Sequence, residues 1–69
     1  MMNKPKYKTI IQTELVSATN DLMGFQDYIN EFAKTHHVVG IKYQSFMFHG
    51  NIKDRALIMY KVRVEVEDE

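Results

Sequence analysis

Residues 55–67 read RALIMYKVRVEVE, and their alternation decides the fold. Ala56, Ile58, Tyr60, Val62, Val64 and Val66 share one parity; Leu57, Met59, Lys61, Arg63 and Glu65 share the other. Successive side chains of an extended strand point to opposite faces, so this stretch is predicted as a long β-strand with one apolar and one mixed face. Its β-branched residues favour that conformation. An apolar sheet face needs a second layer to cover it, and the rest of the chain must supply one.

Working upstream, His49-Gly50-Asn51 is a hairpin turn signal, which makes residues 38–48 the partner strand. Val39, Ile41 and Tyr43 are expected on one face of it, and Val38, Lys42, Gln44, Phe46 and Phe48 on the other. Before it, Leu22, Phe25, Ile29, Phe32 and Ala33 recur at helical spacing, opposite a polar side of Gln26, Asp27, Asn30, Glu31 and Lys34. The predicted helix covers residues 19–35, with His36 and His37 near its end. Ser17 or Thr19 is the expected N-cap, and Asp21 suits the first turn, where negative charge is favourable. Gly24 within it costs about 1 kcal/mol against alanine. Residues 7–16 read as a first strand, with Ile11, Thr13 and Leu15 on one face and Ile10, Gln12, Glu14 and Val16 on the other.

The fold class is therefore α+β, a single β-α-β-β domain over residues 1–69 with flexible ends at 1–6 and 67–69. The helical connection makes the first two strands parallel, and the hairpin makes the last two antiparallel. The third strand is expected in the centre, in the order 1-3-2. That order brings Lys4, Lys6 and Lys8 beside Glu65, Glu67, Asp68 and Glu69, and opposite charges across strands contribute about 0.2–1 kcal/mol per pair. The helix can cover one face, which is expected to carry Ile11, Leu15, Val39, Ile41, Ile58, Tyr60 and Val62. The open face is then expected to carry Ile10, Val16, Val38, Phe46, Phe48, Leu57 and Met59, together with Lys42, Gln44, Lys61 and Arg63. Either a loop at 49–54 folds back over that patch or the patch is an interface.

Composition narrows the function. The 69 residues include no cysteine, and 9 basic residues balance 9 acidic ones. A core of this size supplies only about 3–5 kcal/mol unless a disulfide, a metal or a partner adds to it. Without cysteine, association is the expected stabiliser. The chain is read as a homo-oligomer or a protein-binding module whose interface holds Ile10, Phe46, Phe48, Leu57 and Met59. Zero net charge disfavours a nucleic-acid ligand. No apolar run is long enough for a membrane helix, so no membrane partner is expected. The start lacks the apolar stretch of a secretory signal, which is the ground for expecting a cytoplasmic protein.

Catalytic signals are weak throughout. His36 and His37 are adjacent and would diverge on a strand, and His49 lies in a turn, so no metal site is expected. Asp21, Asp27 and Glu31 lie on the wet side of the helix, with no pocket to separate two carboxyl groups by pKa. Phosphate loops, nucleophile elbows and dinucleotide fingerprints are missing. The expectation is a non-enzyme without cofactor. Tyr43 and Tyr60 are assigned to the core. The alternative function is sequestration of a small anionic or planar ligand, such as a nucleotide, between subunits by Lys42, Tyr43, His49, Arg55 and Arg63.

Three segments resemble a known family. Ile29-Asn30-Glu31-Phe32, Val38-Val39-Gly40-Ile41-Lys42-Tyr43-Gln44 and Ala56-Leu57-Ile58-Met59-Tyr60 are similar to small sporulation proteins made in the mother cell under sigma-E control, which have relatives in phages and prophages. The resemblance spans residues 25–62. Gly40 stands where the family often has aspartate. The resemblance implies a small non-enzymatic protein of sporulating bacteria or their phages. The order of elements also resembles dodecin, a flavin-storing oligomer, but this chain has no tryptophan and its third strand lacks the flavin-contacting glutamine. That likeness implies oligomerisation and puts flavin binding in doubt.

Overall fold

The computed structural model describes residues 5–66. The elements run β1 (Lys6–Thr19), α1 (Leu22–Thr35), β2 (His37–Phe48) and β3 (Asn51–Val66). The sheet order is β1-β3-β2, with β3 antiparallel to both neighbours. The α+β class and the central third strand are as the alternation of residues 55–66 implies. Expectations for Lys4, Glu67, Asp68, Glu69 and the flexible ends lie outside the described residues, except that Lys6 already belongs to β1.

Within the described register Lys8 stands opposite Val64 and Glu65 opposite Tyr7, so neither faces an opposite charge directly.

β3 starts at Asn51, not at residue 55. His49 and Gly50 both have positive φ, 50° and 77°, and Phe48 pairs with Asn51 across them. A two-residue turn of this kind matches the twist of the flanking strands. No loop at 49–54 is therefore free to fold over the sheet.

β1 runs three residues past its expected end, because the early start of β3 supplies partners: Ser17, Ala18 and Thr19 lie opposite Arg55, Asp54 and Lys53. Asn20, at φ 53°, turns the chain. Its backbone N–H donates to the Ile52 carbonyl at 2.8 Å, its Oδ1 accepts from the Ile52 N–H at 2.8 Å, and its Nδ2 donates to Asn51 Oδ1 at 2.8 Å. With Ser17 and Thr19 in the strand, Asp21 becomes the N-cap, accepting from the Gly24 N–H at 3.0 Å. A Cβ at position 24 would collide with the Asp21 carboxylate. Gly24 is thus the space the cap occupies rather than a flaw in the helix.

The register also corrects the faces. Glu14 and Ile41 flank Ile58, and Val16 and Tyr43 flank Ala56, so these residues share the helix-covered side with Ile10, Gln12, Tyr60 and Val62. Ile11 and Leu15 lie on the open side, opposite Lys61 and Leu57. The expected assignment of β1 is reversed, and Ile10 and Val16 leave the open face. A β-bulge between Val38 and Gly40 inserts one residue. It places Val38 opposite Tyr60 on the helix side, also contrary to expectation.

The core lies where α1 crosses the sheet. Phe25, Ala56 and Ile58 are buried, and Ile29 and Phe32 are half-buried on the same helix stripe. Phe25 packs on Tyr43 (ring centroids 5.9 Å apart) and Phe32 meets the edge of Tyr60 (5.0 Å). His36 caps the helix C-terminus, stacked on Phe32 at 3.8 Å, with its Nδ1 3.0 Å from the Phe32 carbonyl. Beyond His37, which pairs with Lys61, only β1 and β3 continue, as a two-stranded arm. The molecule measures 64 × 20 × 14 Å, with a radius of gyration of 17.1 Å. A compact domain of this length has about 11 Å.

Candidate functional site

The uncovered side of the sheet is the largest chemical feature of the molecule. β3 presents Lys53, Arg55, Leu57, Met59, Lys61, Arg63 and Glu65 there in sequence. β1 adds Thr19, Ser17, Leu15, Thr13, Ile11, Thr9 and Tyr7 beside them. β2 adds Phe48, Phe46, Gln44, Lys42 and Gly40. The centre is therefore apolar, formed by Ile11, Leu15, Leu57 and Met59. Leu15 is 71% exposed and Ile11 55%, while Leu57 and Met59 are half-buried by their neighbours.

Two basic poles flank that centre. At the hairpin end, Lys53 Nζ donates to Thr19 Oγ1 at 3.0 Å, and the Arg55 guanidinium lies 5.2 Å above the Phe46 ring. At the arm end, the Arg63 guanidinium lies 4.8 Å from the Tyr7 ring. A cation held over an aromatic face keeps its charge while covering apolar surface. Among the described residues, none of Lys42, Lys53, Arg55, Lys61 and Arg63 forms an ion pair. On the helix, Lys34 pairs with Glu31 at 3.1 Å.

A hollow of about 270 Å³ opens at the hairpin pole, walled by Ser17, Thr19, Phe46, Phe48, Lys53 and Arg55. Phe48 is 54% exposed on its rim, edge-on to His49 at 4.1 Å. Of the five residues expected to bind a ligand, only Arg55 faces this hollow. Lys42 lies further along the open face, His49 is in the turn, and Arg63 is at the far pole. Tyr43 is on the other side of the sheet. Lys42, Tyr43 and Arg55 border a second, open hollow with Leu15, Gln44 and Leu57, and His49 and Arg63 lie outside it. Of the expected interface set, Phe46, Phe48, Leu57 and Met59 share the open face and Ile10 does not.

The covered side holds a polar group that the alternation of residues 55–67 did not reveal. Asp54 is 2% exposed, its Oδ1 accepts from the Tyr43 hydroxyl at 2.6 Å, and its Oδ2 has no hydrogen-bond partner. Continuing the β3 alternation two residues upstream from Ala56 would have found it. Tyr43 itself is 57% exposed, so it is not the core residue expected. Tyr28, on α1, donates to Glu14 at 2.8 Å. Both phenols are held above the ordinary tyrosine range. Tyr28 is raised by its bond to Glu14, then by burial and by the carboxylate charge. Tyr43 is raised by its bond to Asp54, opposed by a bond to Ser45, and raised further by burial and by the Asp54 charge.

A phenol whose folded pKa is raised favours the fold while it is neutral. That stability is complete below about pH 10 and is lost as pH rises through the folded titration. Thermal melts should therefore fall in alkali, and fall less steeply in Tyr43→Phe and Tyr28→Phe. Identical alkaline slopes in wild type and both variants would remove this assignment.

The described residues contain no cluster of three His, Asp or Glu side chains that could hold a metal. No helix among them is long and apolar enough to cross a membrane. No family model, curated protein or solved structure matches the chain.

Proposed function

We propose that this chain is a non-enzymatic interaction protein that associates with itself, and with a protein partner, through the open sheet face. The observation that carries the reading is the uncovered apolar centre of Ile11, Leu15, Leu57 and Met59. It lies in a molecule with more surface than one folded chain should have. A folded chain of 8.2 kDa exposes about 4,500 Å². This one exposes 5848 Å². The excess of roughly 1,300 Å² is larger than the ~800 Å² that each partner contributes to a standard interface. The resemblance of residues 25–62 to small sporulation proteins and their phage relatives supports the same non-enzymatic role, acting in the cytoplasm.

Native mass spectrometry tests the reading. Wild type is expected at a multiple of 8.2 kDa. Leu57→Asp places a carboxylate at the apolar centre, on a half-buried side chain, and is expected to leave monomer with an unchanged circular dichroism spectrum. A monomeric wild type at all concentrations would end the self-association reading.

A further inference from the structure

On the helix-covered side of the sheet, beside the N-terminus of α1, lies a hollow of about 330 Å³ bordered by Asp54. Its other walls include Asp21, Leu22, Tyr43, Ser45 and Ile52. Strand parity puts the Asp54 side chain on this side of the sheet, with Ser45 opposite it and Tyr43 opposite Ala56. Asp54 is 2% exposed; the Tyr43 hydroxyl engages its Oδ1 at 2.6 Å, and Oδ2 has no partner. Buried carboxylate oxygens are ordinarily bonded, because one that is not has given up water for nothing. Among the described residues no cation supplies the missing donor. Lys53 and Arg55, the neighbours of Asp54 in β3, are held on the opposite face by Thr19 and Phe46, and no basic residue lines the hollow. The described ends of β1 and β3, Lys6 and Val66, lie about 40 Å away along the sheet. Asp21 brings a second carboxylate to the hollow. Its Oδ1 accepts from the Gly24 N–H at 3.0 Å, which leaves Oδ2 as an acceptor. Leu22, Ile52 and the Tyr43 ring add exposed apolar surface.

We propose that this hollow binds a small primary ammonium compound with a short aliphatic body. Its nitrogen donates to Asp54 Oδ2 and to the Asp21 carboxylate, and its carbon chain lies against Leu22, Ile52 and the Tyr43 ring. An ammonium group has three donors and no acceptor, which suits a lining of two carboxylates and the Ser45 hydroxyl. The Tyr43 ring face adds attraction for a cation. Two carboxylates disfavour an anion, and a quaternary ammonium has no N–H to offer Oδ2. The volume lies at the small end of the range for ligand sites, which limits the body to a few carbons. Oδ2 is out of contact with solvent in the free chain. The ammonium therefore reaches it as the carboxylate turns slightly towards the hollow, with the Tyr43 hydroxyl following. The site lies on the side of the sheet away from Leu57 and Met59, so it stands or falls apart from self-association.

Two-dimensional nitrogen–proton NMR of the full chain, titrated with butylammonium chloride at constant ionic strength, tests this. The amide resonances of Asn20, Ser45 and Asp54 are expected to move and saturate, while those of Leu57 and Met59 on the open face stay in place. Butanol and tetramethylammonium chloride should move them far less. Asp54→Asn keeps the shape and an acceptor for Tyr43, and is expected to weaken binding about tenfold or more, as loss of a charge-assisted bond does. Asp21→Asn keeps the helix cap, since asparagine caps as well as aspartate, and should also weaken binding. It carries the test if Asp54→Asn does not fold. Butanol acting as strongly as butylammonium would overturn the inference, because charge would then contribute nothing. Undiminished binding by the folded variants would overturn it as well. Calcium chloride moving the same resonances at lower concentration would make this a metal site instead. If no probe moves them, water completes Asp54 and the inference falls.

Discussion

Phe25→Ala is expected to leave the chain largely unfolded at ordinary temperatures. Phe25 is 3% exposed and is the fully buried residue of α1. Its ring packs on Tyr43 above Ala56 and Ile58. Truncating a buried phenylalanine costs about 3–5 kcal/mol, as much as a core of this size supplies in total. Ile29 and Phe32 are only half-buried and cannot hold the helix alone. Far-ultraviolet circular dichroism should lose its helical signal, and the urea transition should vanish or begin at zero denaturant. Met23→Ala, on a helix residue 77% exposed, should shift stability by no more than about 0.5 kcal/mol. A cooperative melt for Phe25→Ala close to that of Met23→Ala would mean that the helix is not anchored where the structure has it.

The second large effect is expected at the corner between β1 and α1. Asn20 combines a left-handed backbone with two side-chain bonds to the start of β3. Alanine would lose both bonds and meet the left-handed penalty of an ordinary L-residue. Together these cost about 2–4 kcal/mol. Glycine tolerates the backbone conformation and loses only the bonds, so Asn20→Gly should be the milder variant. Denaturant melts of the two separate backbone from side chain. Equal losses would show that the conformation at residue 20 contributes nothing.

The outline of the fold was legible because β3 alternates without interruption from Ala56 to Val66 and because His49-Gly50 marks its turn. The face of β1 was not. Its buried parity includes Gln12 and Glu14, which look like solvent residues until the tyrosine hydroxyls that meet them are known. Tyr60 donates to Gln12 at 3.1 Å and Tyr28 to Glu14 at 2.8 Å. Polar residues can line a covered face when such donors are present, and periodicity alone does not register donors from another element. The early start of β3 was hidden for the same reason. Lys53-Asp54 reads as turn chemistry, whereas Asp54 is a buried strand residue bonded to Tyr43. The bulge at Val38 to Gly40 leaves no mark in hydrophobic pattern, because Val38 and Val39 suit either side. At the open face, Phe46, Phe48, Leu57 and Met59 could be grouped from parity. The hollow beside Lys53 could not, since it depends on β1 extending to Thr19.

The elongated outline has a hydrodynamic consequence. A radius of gyration of 17.1 Å belongs, among compact chains, to one of about 220 residues. A gel-filtration column responds to the hydrodynamic radius, which grows less with elongation than the radius of gyration does. A single copy of 64 × 20 × 14 Å should therefore elute ahead of a spherical 8.2 kDa standard but well behind a compact chain of about 220 residues. An apparent mass above that of one copy is thus what a monomer should give, and a true dimer should elute earlier still.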